Sequence, residues 1–540
     1  MKLSSLSKTT LLLFFCFGID KITAIIRQLI IARQFGLSSE LDVFNIANNL
    51  PDMLFILISG GAMSMVLIPV MTEVMIKDGR MAAWHLFSSV ANLAFLGSLF
   101  FAVIIALLAE PIIASEIGIA PGFSTAQKKV VAELMRMNLI ATMIFSISGL
   151  IMGGLQANRH FLMPALAPIL YNAGQIFGAL ILAPSKPYVI GTIQLPYLGM
   201  GVHGLAAGVI LGAVLHLLIQ IPALLRYQFR WSPVIALHEE SVRKLLRIMG
   251  PRILSVFFIQ LIFIVRDNLA SRLSAGAVTA LSYGYMFQQL PETLIGTVLG
   301  TAILPSLSLF ISKGERASYE STIQKACRLC IGLSFGSAVI MGIGLQPLIQ
   351  FAFHLDTAQT SLLIWTLRGF LVGLAGHCLL ETVNRAFYAQ QEAILPLIGT
   401  FLNLVLYVLI GSLLFRSLDA PGISLTDSIA FTIQSVFLLL MMKLSPETRL
   451  RWLQKRKLFW KRFLVDHTGQ SIQMAARTFL GNTILRSGIG ALVSGLVCYV
   501  LMGSHFGNLN ILVKSLIGMA LAIITYIPFI LPELKILRHF

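Results

Sequence analysis

The chain has 540 residues, of which 57% are hydrophobic and only 12% charged, with a mean hydropathy of +0.85. That balance excludes a water-soluble globule of this length. A net charge of +17 raises the question of nucleic acid. The basic residues, however, concentrate in alternate loops between apolar runs, which is a membrane topology signal, and no nucleic-acid partner is expected.

Apolar runs of about 20 residues recur from end to end, each long enough to cross roughly 30 Å of hydrocarbon. Fourteen are centred near residues 20, 60, 97, 145, 173, 213, 262, 296, 339, 375, 405, 433, 491 and 521. The runs are continuous rather than alternating, which argues against a barrel. The expectation is an all-α polytopic membrane protein with about 14 transmembrane helices. Lys2 and Lys8 precede Leu11 to Phe17 as in a signal peptide, but no small-residue cleavage site follows, so the segment reads as an uncleaved first span. With both termini cytoplasmic, the inner loops hold most of the lysines and arginines, including the clusters 226–252 and 449–462.

Span 1 carries Asp20, Lys21 and Arg27 within apolar sequence. Each charge costs about 2.5–3.5 kcal/mol at a helix centre, so the three together require a protein or water interior. At 100° per residue Asp20, Thr23 and Arg27 share one stripe and Lys21 lies on its flank. The functional expectation is a cationic lining facing a central cavity; the alternative is a structural pairing of Asp20 with a neighbouring base.

Span 2 opens with Asp42, Asn45, Asn48, Asn49 and Asp52 and is interrupted by Pro51, Gly60, Gly61 and Pro69. These interruptions read as a hinge or as a packing kink. A stretch at 227–249 mixes Trp231, Ile235, Leu237, Val242 and Leu245 with arginines and glutamates, and resembles an amphipathic cytoplasmic helix. Span 7 carries Arg266-Asp267, and span 8 carries Tyr283, Tyr285, Gln288 and Gln289 ahead of Pro291. Glu381 and Arg385 in span 10 lie four apart on one face, where they can lock together. Asn403 in span 11 and Asp427 at the start of span 12 could join Asp267 as oxygen ligands to a coupling cation. A second basic amphipathic stretch, 448–463, precedes spans 13 and 14.

The candidate substrate-binding residues are therefore Asp20, Lys21, Arg27, Arg266 and Gln289. The candidate structural or gating residues are Pro51, Gly60, Gly61, Pro291, Glu381 and Arg385, and the candidate cation ligands are Asp267, Asn403 and Asp427. Five cysteines lie in or beside spans, and the Cys327-x-x-Cys330 pair stands alone, so buried thiols are expected rather than a metal site. Nucleotide-binding, zinc-protease and serine-hydrolase motifs are absent, so the chain does not read as an enzyme and needs no bound cofactor. Uphill work would come from membrane potential, a Na+ or H+ gradient, or consumption of product.

The chain also repeats itself. Arg27, Ala32-Arg33, Leu50-Pro51 and Ile68-Pro69 recur in order as Arg266, Ser271-Arg272, Leu290-Pro291 and Leu304-Pro305. Asn158-Arg159-His160-Phe161 returns as Asn384-Arg385-Ala386-Phe387, and Tyr171-Asn172 as Leu402-Asn403. Two six-helix repeats of the same orientation, related by a pseudo-twofold along the membrane normal, suggest a transporter. The expected divisions are a first lobe at 1–226, the linker 227–249 and a second lobe at 250–444. The basic segment 445–478 and two additional helices in 479–540 complete the chain.

Ile30 to Gly36, then Leu41-Asp42-Val43-Phe44-Asn45-Ile46-Ala47-Asn48-Asn49-Leu50-Pro51-Asp52, then Gly60-Gly61-Ala62 before Ile68-Pro69, resemble the opening of the MurJ/MviN family. Ala280-Leu281-Ser282-Tyr283, Leu290-Pro291 and Ala302 to Ser308 are similar to the family's span 8 region, and Glu381 with Arg385 to Ala389 to its span 10 end. The resemblance covers about residues 8–440, and the two extra spans fit the family's total.

It implies the fold of the multidrug/oligosaccharidyl-lipid/polysaccharide exporter superfamily. It also implies alternating-access flipping of lipid II, the undecaprenyl-diphosphate-linked peptidoglycan precursor, across the bacterial cytoplasmic (inner) membrane. The partner the resemblance implies is that precursor; the basic loops add an expected attraction to anionic membrane lipids, and cell-wall synthesis proteins are further expected partners of a chain expected to be a monomer. The family's first-span cationic positions fall on Lys21 and Arg27, whereas its arginine regions in spans 2 and 8 read Phe55-Ile56 and Tyr285-Met286, with Arg266 as a candidate substitute. Another polyprenyl-diphosphate-linked oligosaccharide therefore stays open as cargo. So do a cation-coupled drug or metabolite exporter, which usually lacks spans 13 and 14, and a membrane scaffold for cell-wall assembly.

Overall fold

The structure is a computed structural model that describes residues 5–58, 61–190, 192–443, 470–503 and 510–536. Gly60 and the basic stretch 448–463 lie outside the described residues. The described residues are almost wholly helical, in line with the all-α expectation; the one pairing of strands is a minimal hairpin of two residues each, β1 (Val189–Ile190) against β2 (Ile193–Gln194). By length and apolarity eleven helices among the described residues can cross a membrane, or twelve if the bent pair Thr357–Val372 and Leu374–Ala389 counts as one span. The expected centre at residue 60 is not described, and the other thirteen fall in helical segments. The helix Ile394–Lys443 alone carries two of them, on either side of a non-helical Asp419 (φ 57°) that precedes Pro421.

The chain divides into two compact units, Met1–Thr279 and Ala280–Phe540. The first contains α1 (Ser5–Phe35), α2 (Ser39–Ile58), α3 (Gly61–Lys77), α4 (Gly79–Leu107), α5 (Ala109–Ala114) and α6 (Thr125–Ala157). It continues through α7 (Leu162–Phe177) with a π turn at Gly178–Leu182, α8 (Val202–Leu218), α9 (Ile221–Arg226) and α10 (Glu240–Ala270). α10, which opens the second sequence repeat, packs on α2, α3 and α4, so the spatial division falls later in the chain than the repeat boundary.

Residues 227–239 do not form the amphipathic helix that their composition suggests. They run as a strap along α4. Pro233 interrupts the stretch, and α4 offers it polar partners: Ser89 Oγ accepts from Ala236 N (2.7 Å), and Asn92 donates to the carbonyls of Ser232 (2.7 Å) and Val234 (3.0 Å). Under the strap Trp84 is buried, with Phe87 and Phe229 edge-on to it and its indole N–H donated to the Tyr227 carbonyl at 3.1 Å. The helix proper starts at Glu240.

In hydrocarbon two helices gain little from burying apolar faces, so close backbone approach supplies their contact. α7 and α8 show this directly. Gly174 and Gly178 face Gly204, Gly208 and Gly212, each series spaced by four. A Cβ on Gly174 would fall 2.4 Å from the Gly212 Cα, and one on Gly208 would fall 2.8 Å from the Gly178 Cα.

The second unit contains most of α11 (Ala277–Glu292), a π turn at Thr293–Thr297, α12 (Val298–Lys313), α13 (Arg316–Phe353), α14 (Thr357–Val372), α15 (Leu374–Ala389), α16 (Ile394–Lys443), α17 (Gln470–Gly503) and α18 (Ile511–Ile536). α13 is its spine, in contact with α14, α15, α17 and α18. The two C-terminal helices have no counterpart in the repeat and are tied to α13 by charge. Glu533 of α18 is buried and accepts from Arg328 of α13 at 2.9 Å, from Thr483 of α17 at 3.1 Å and from Arg486 of α17.

The glycine seam gives a direct test. Gly208→Leu should lower the melting temperature of the detergent-purified chain, with an overpacking cost on the order of 1–3 kcal/mol. Gly97→Leu, where an added Cβ meets nothing within 4 Å, should leave it unchanged.

Candidate substrate-binding and ion-pair sites

The charges of α1 meet a single polar residue of α7. Arg27 donates through Nη1 to Asn172 Oδ1 at 3.0 Å. The same amide donates through Nδ2 to Asp20 Oδ1 at 3.0 Å and to Thr23 Oγ1 at 3.2 Å. Thr23 in turn donates to the Asp20 carbonyl at 2.9 Å. The stripe expected on α1 thus exists, and Asn172 spans its acidic and basic ends without a direct contact between them. Arg27 and Asp20 are half-buried, whereas Lys21, on the flank, is exposed. The Arg27 Nε is buried and makes no hydrogen bond among the described residues. A guanidinium carries five donors, and the bond to Asn172 uses one of them.

A second junction joins α2, α10 and the first turn of α11 within the first unit. Buried Asp42 accepts from Gly276 N (2.6 Å), Thr279 N (2.7 Å) and Thr279 Oγ1 (2.7 Å), capping α11 from a distant helix. Two turns further along α2, Asn49 Nδ2 donates to Asp267 Oδ2 at 2.6 Å, and Arg266 Nε donates to Asp267 Oδ1 at 3.0 Å. The Arg266 guanidinium also lies 4.9 Å from the centre of the Phe263 ring. Arg266 is therefore held by its own neighbour, and both oxygens of Asp267 are engaged.

The three candidate cation ligands sit in three separate partner sets. Asp267 belongs to the junction just described. Asn403 donates to Gln434 Oε1 at 2.8 Å, and Asp427 bonds to His377 Nε2 at 2.9 Å. No group of three or more metal-ligating side chains occurs among the described residues. Gln289 is exposed on α11, next to a fully buried Gln288. Glu381 and Arg385 pair across one turn at 3.3 Å, each side chain 31% exposed. Pro51 is buried within α2, and its carbonyl accepts from Thr142 Oγ1 at 3.2 Å. Pro291 stands one residue before the end of α11, where the backbone widens into a π turn, and Gly61 begins α3.

Asn172, Glu292 and His377 were not singled out as site residues from sequence. Asn172 had a signal in the Tyr171-Asn172 and Leu402-Asn403 echo; Glu292 and His377 had one simply as ionisable residues inside apolar runs.

The Asp42 cap gives a stability test. Asp42→Ala strands two buried N–H groups and a hydroxyl, and should cost on the order of 3 kcal/mol, read as a lowered melting temperature of the full chain. Asp42→Asn, which keeps one acceptor oxygen, should cost less.

Comparison with known proteins agrees with the fold. A profile of the family described as lipid II flippase MurJ matches residues 31–509. The lipid II flippase MurJ of Burkholderia cenocepacia is 28% identical over 471 residues, covering 85% of this chain and 86% of its own. A lipid II flippase MurJ solved in an inward closed conformation superposes with a TM-score of 0.73 at 19% identity, over 97% of this chain and all of that one. An inward-facing multidrug resistance MATE family transporter of the MOP superfamily gives a TM-score of 0.62 at 16% identity, over 83% of this chain and all of its own. The match over most of the chain decides the assignment: this protein belongs to the lipid II flippase MurJ family.

Proposed function

We propose that this chain flips lipid II, the undecaprenyl-diphosphate-linked peptidoglycan precursor, from the inner to the outer leaflet of the bacterial cytoplasmic membrane by alternating access. It is a transport protein and not an enzyme. The single observation that carries the reading at the level of residues is the half-buried Arg27 guanidinium, held by the uncharged Asn172, beside an exposed Lys21.

A diphosphate and its sugar cannot enter hydrocarbon without replacement of their hydration. Fixed cations with unused donors supply that replacement, and guanidinium geometry matches phosphate oxygens in pairs. Asp20 and Asn172 then act as positioning residues. They hold Arg27 in one geometry before the anion arrives, which limits the ordering that binding requires. Arg266, already paired with Asp267, contributes to shape rather than to anion capture. Both termini face the cytoplasm in this reading, anionic lipids contact the basic loops, and the chain works as a monomer beside the proteins that consume its cargo. Energy comes from a membrane potential or ion gradient.

The test uses bacterial cells depleted of their own lipid II flippase and expressing this chain, treated with an enzyme that cleaves lipid II only from outside. Cleavage should be restored. Arg27→Ala and Lys21→Ala should each abolish it with the protein still inserted, and Arg27→Lys should retain part, because the charge persists without the planar fork. Full cleavage in the double Ala variant would remove the anion-capture mechanism. Absence of cleavage in the unaltered chain would move the cargo to another polyprenyl-linked glycan.

A further inference from the structure

The second unit buries an imidazole between two carboxylates. His377 of α15 is 2% exposed; its Nε2 lies 2.9 Å from Asp427 Oδ2 of α16 and its Nδ1 lies 3.7 Å from Glu292 Oε1 at the end of α11. The ring stacks on Phe431 with centroids 4.1 Å apart. Gln288, itself fully buried, donates through Nε2 to Glu292 Oε2 at 3.1 Å, while its Oε1 has no hydrogen-bond partner among the described residues. The other titratable groups near the cluster are few. On α15 they are Cys378 and Glu381, with Glu381 paired to Arg385; α13 adds Cys330.

Counting charge, an imidazolium between two carboxylates leaves one negative charge, and the Glu381–Arg385 pair adds none. A net charge is costly inside hydrocarbon, so the cluster favours one further positive charge. No group of three or more metal-ligating side chains is present among the described residues; the 2.9 Å contact to Asp427 is a hydrogen bond, and the 3.7 Å contact to Glu292 is an ion-pair distance. A proton on Glu292 makes the cluster neutral and supplies an O–H that the unpartnered Gln288 oxygen can accept after its amide turns over.

Position gives that proton mechanical consequence. Glu292 follows Pro291 and immediately precedes the π turn Thr293–Thr297, a local irregularity of the kind frequent at functional sites. Its side chain is 17% exposed, against 2% for His377 and 8% for Asp427, so Glu292 is the least enclosed member of the cluster. Protonation weakens the attraction between Glu292 and the imidazolium, and thereby the hold of α15 on the π turn.

We propose that Glu292, His377 and Asp427 form a site for one exchangeable proton, whose uptake on Glu292 and release to the opposite aqueous phase drives the transport cycle. The coupling role rests on the flippase reading; the proton site itself does not, and the experiment separates the two.

The purified full-length chain is titrated from about pH 5 to about pH 9, the interval in which imidazole and carboxylate groups exchange protons in proteins. Infrared difference spectra follow the carboxylic-acid C=O stretch. The expected result is a band that disappears as pH rises and is absent in Glu292→Gln, a change that preserves shape and hydrogen bonding. Asp427→Asn is the second variant, expected to shift the titration rather than remove the band. A band unchanged in both variants, no titrating band at all, or a band abolished by added Na+ at constant pH would each overturn the proton site.

The cell assay with outside cleavage then tests coupling. Collapse of the pH gradient alone should slow transport by the unaltered chain, with the membrane potential still driving the proton, and Glu292→Gln should remove that dependence. Lipid II cleavage that persists unchanged after both interventions would overturn the coupling role while leaving the flippase reading intact. Absence of cleavage under every condition would instead refute the flippase reading, with the infrared result still standing.

Discussion

A charge placed at the centre of a bilayer-spanning helix costs about 2.5–3.5 kcal/mol on insertion scales, and losing its partner there leaves the full desolvation penalty unmet. In this protein that constraint decides which helices meet. Asp20 and Arg27 bring α1 to α7 through one amide, Asp42 and Asp267 bring α2 to α10 and to the start of α11, and Glu533 brings α18 and α17 to α13. Between these polar contacts the helices touch through small residues, as in the glycine seam of α7 and α8. Specificity of assembly comes from the polar contacts and closeness from the glycines, because lipid tails compete with apolar side chains on equal terms.

The same constraint separates groups that hold the fold from groups left for a ligand. Asp267 and Arg266 neutralise each other, with the second Asp267 oxygen taken by Asn49. Arg27 is different, since its amide partner carries no charge and its Nε has no hydrogen bond among the described residues. In the proposed mechanism a cation held by a neutral partner keeps its net charge for the cargo's phosphate. The relay through Asn172 makes that possible where a direct Asp20–Arg27 pair would have cancelled it.

Helix content, the membrane setting and the charged stripe on α1 were legible in the sequence because hydropathy and a 100° rotation per residue are local properties. What was not legible depended on partners distant in the chain. Arg266 reads as a free cation until its guanidinium is seen folded back on Asp267, and the burial of Gln288 beside the exposed Gln289 shows only in the packed structure. Residues 227–239 have an amphipathic composition but form a strap, because Ser89 and Asn92 of α4 satisfy their backbone better than a helix broken by Pro233 would. Asp427 was visible as an acidic residue near a span end, yet its meaning depends on His377, 50 positions away.

The central claim is that Asn172 acts through Arg27, presenting its charge to the cargo. A double-mutant cycle on these two residues tests it most directly, with the rate at which lipid II reaches the outer leaflet as the readout and Arg27→Lys and Asn172→Ala as the single changes. The account predicts strong non-additivity: once Arg27 is Lys, removal of the Asn172 amide makes little further difference. Losses that simply add would contradict it, and would place Asn172 in an independent structural role.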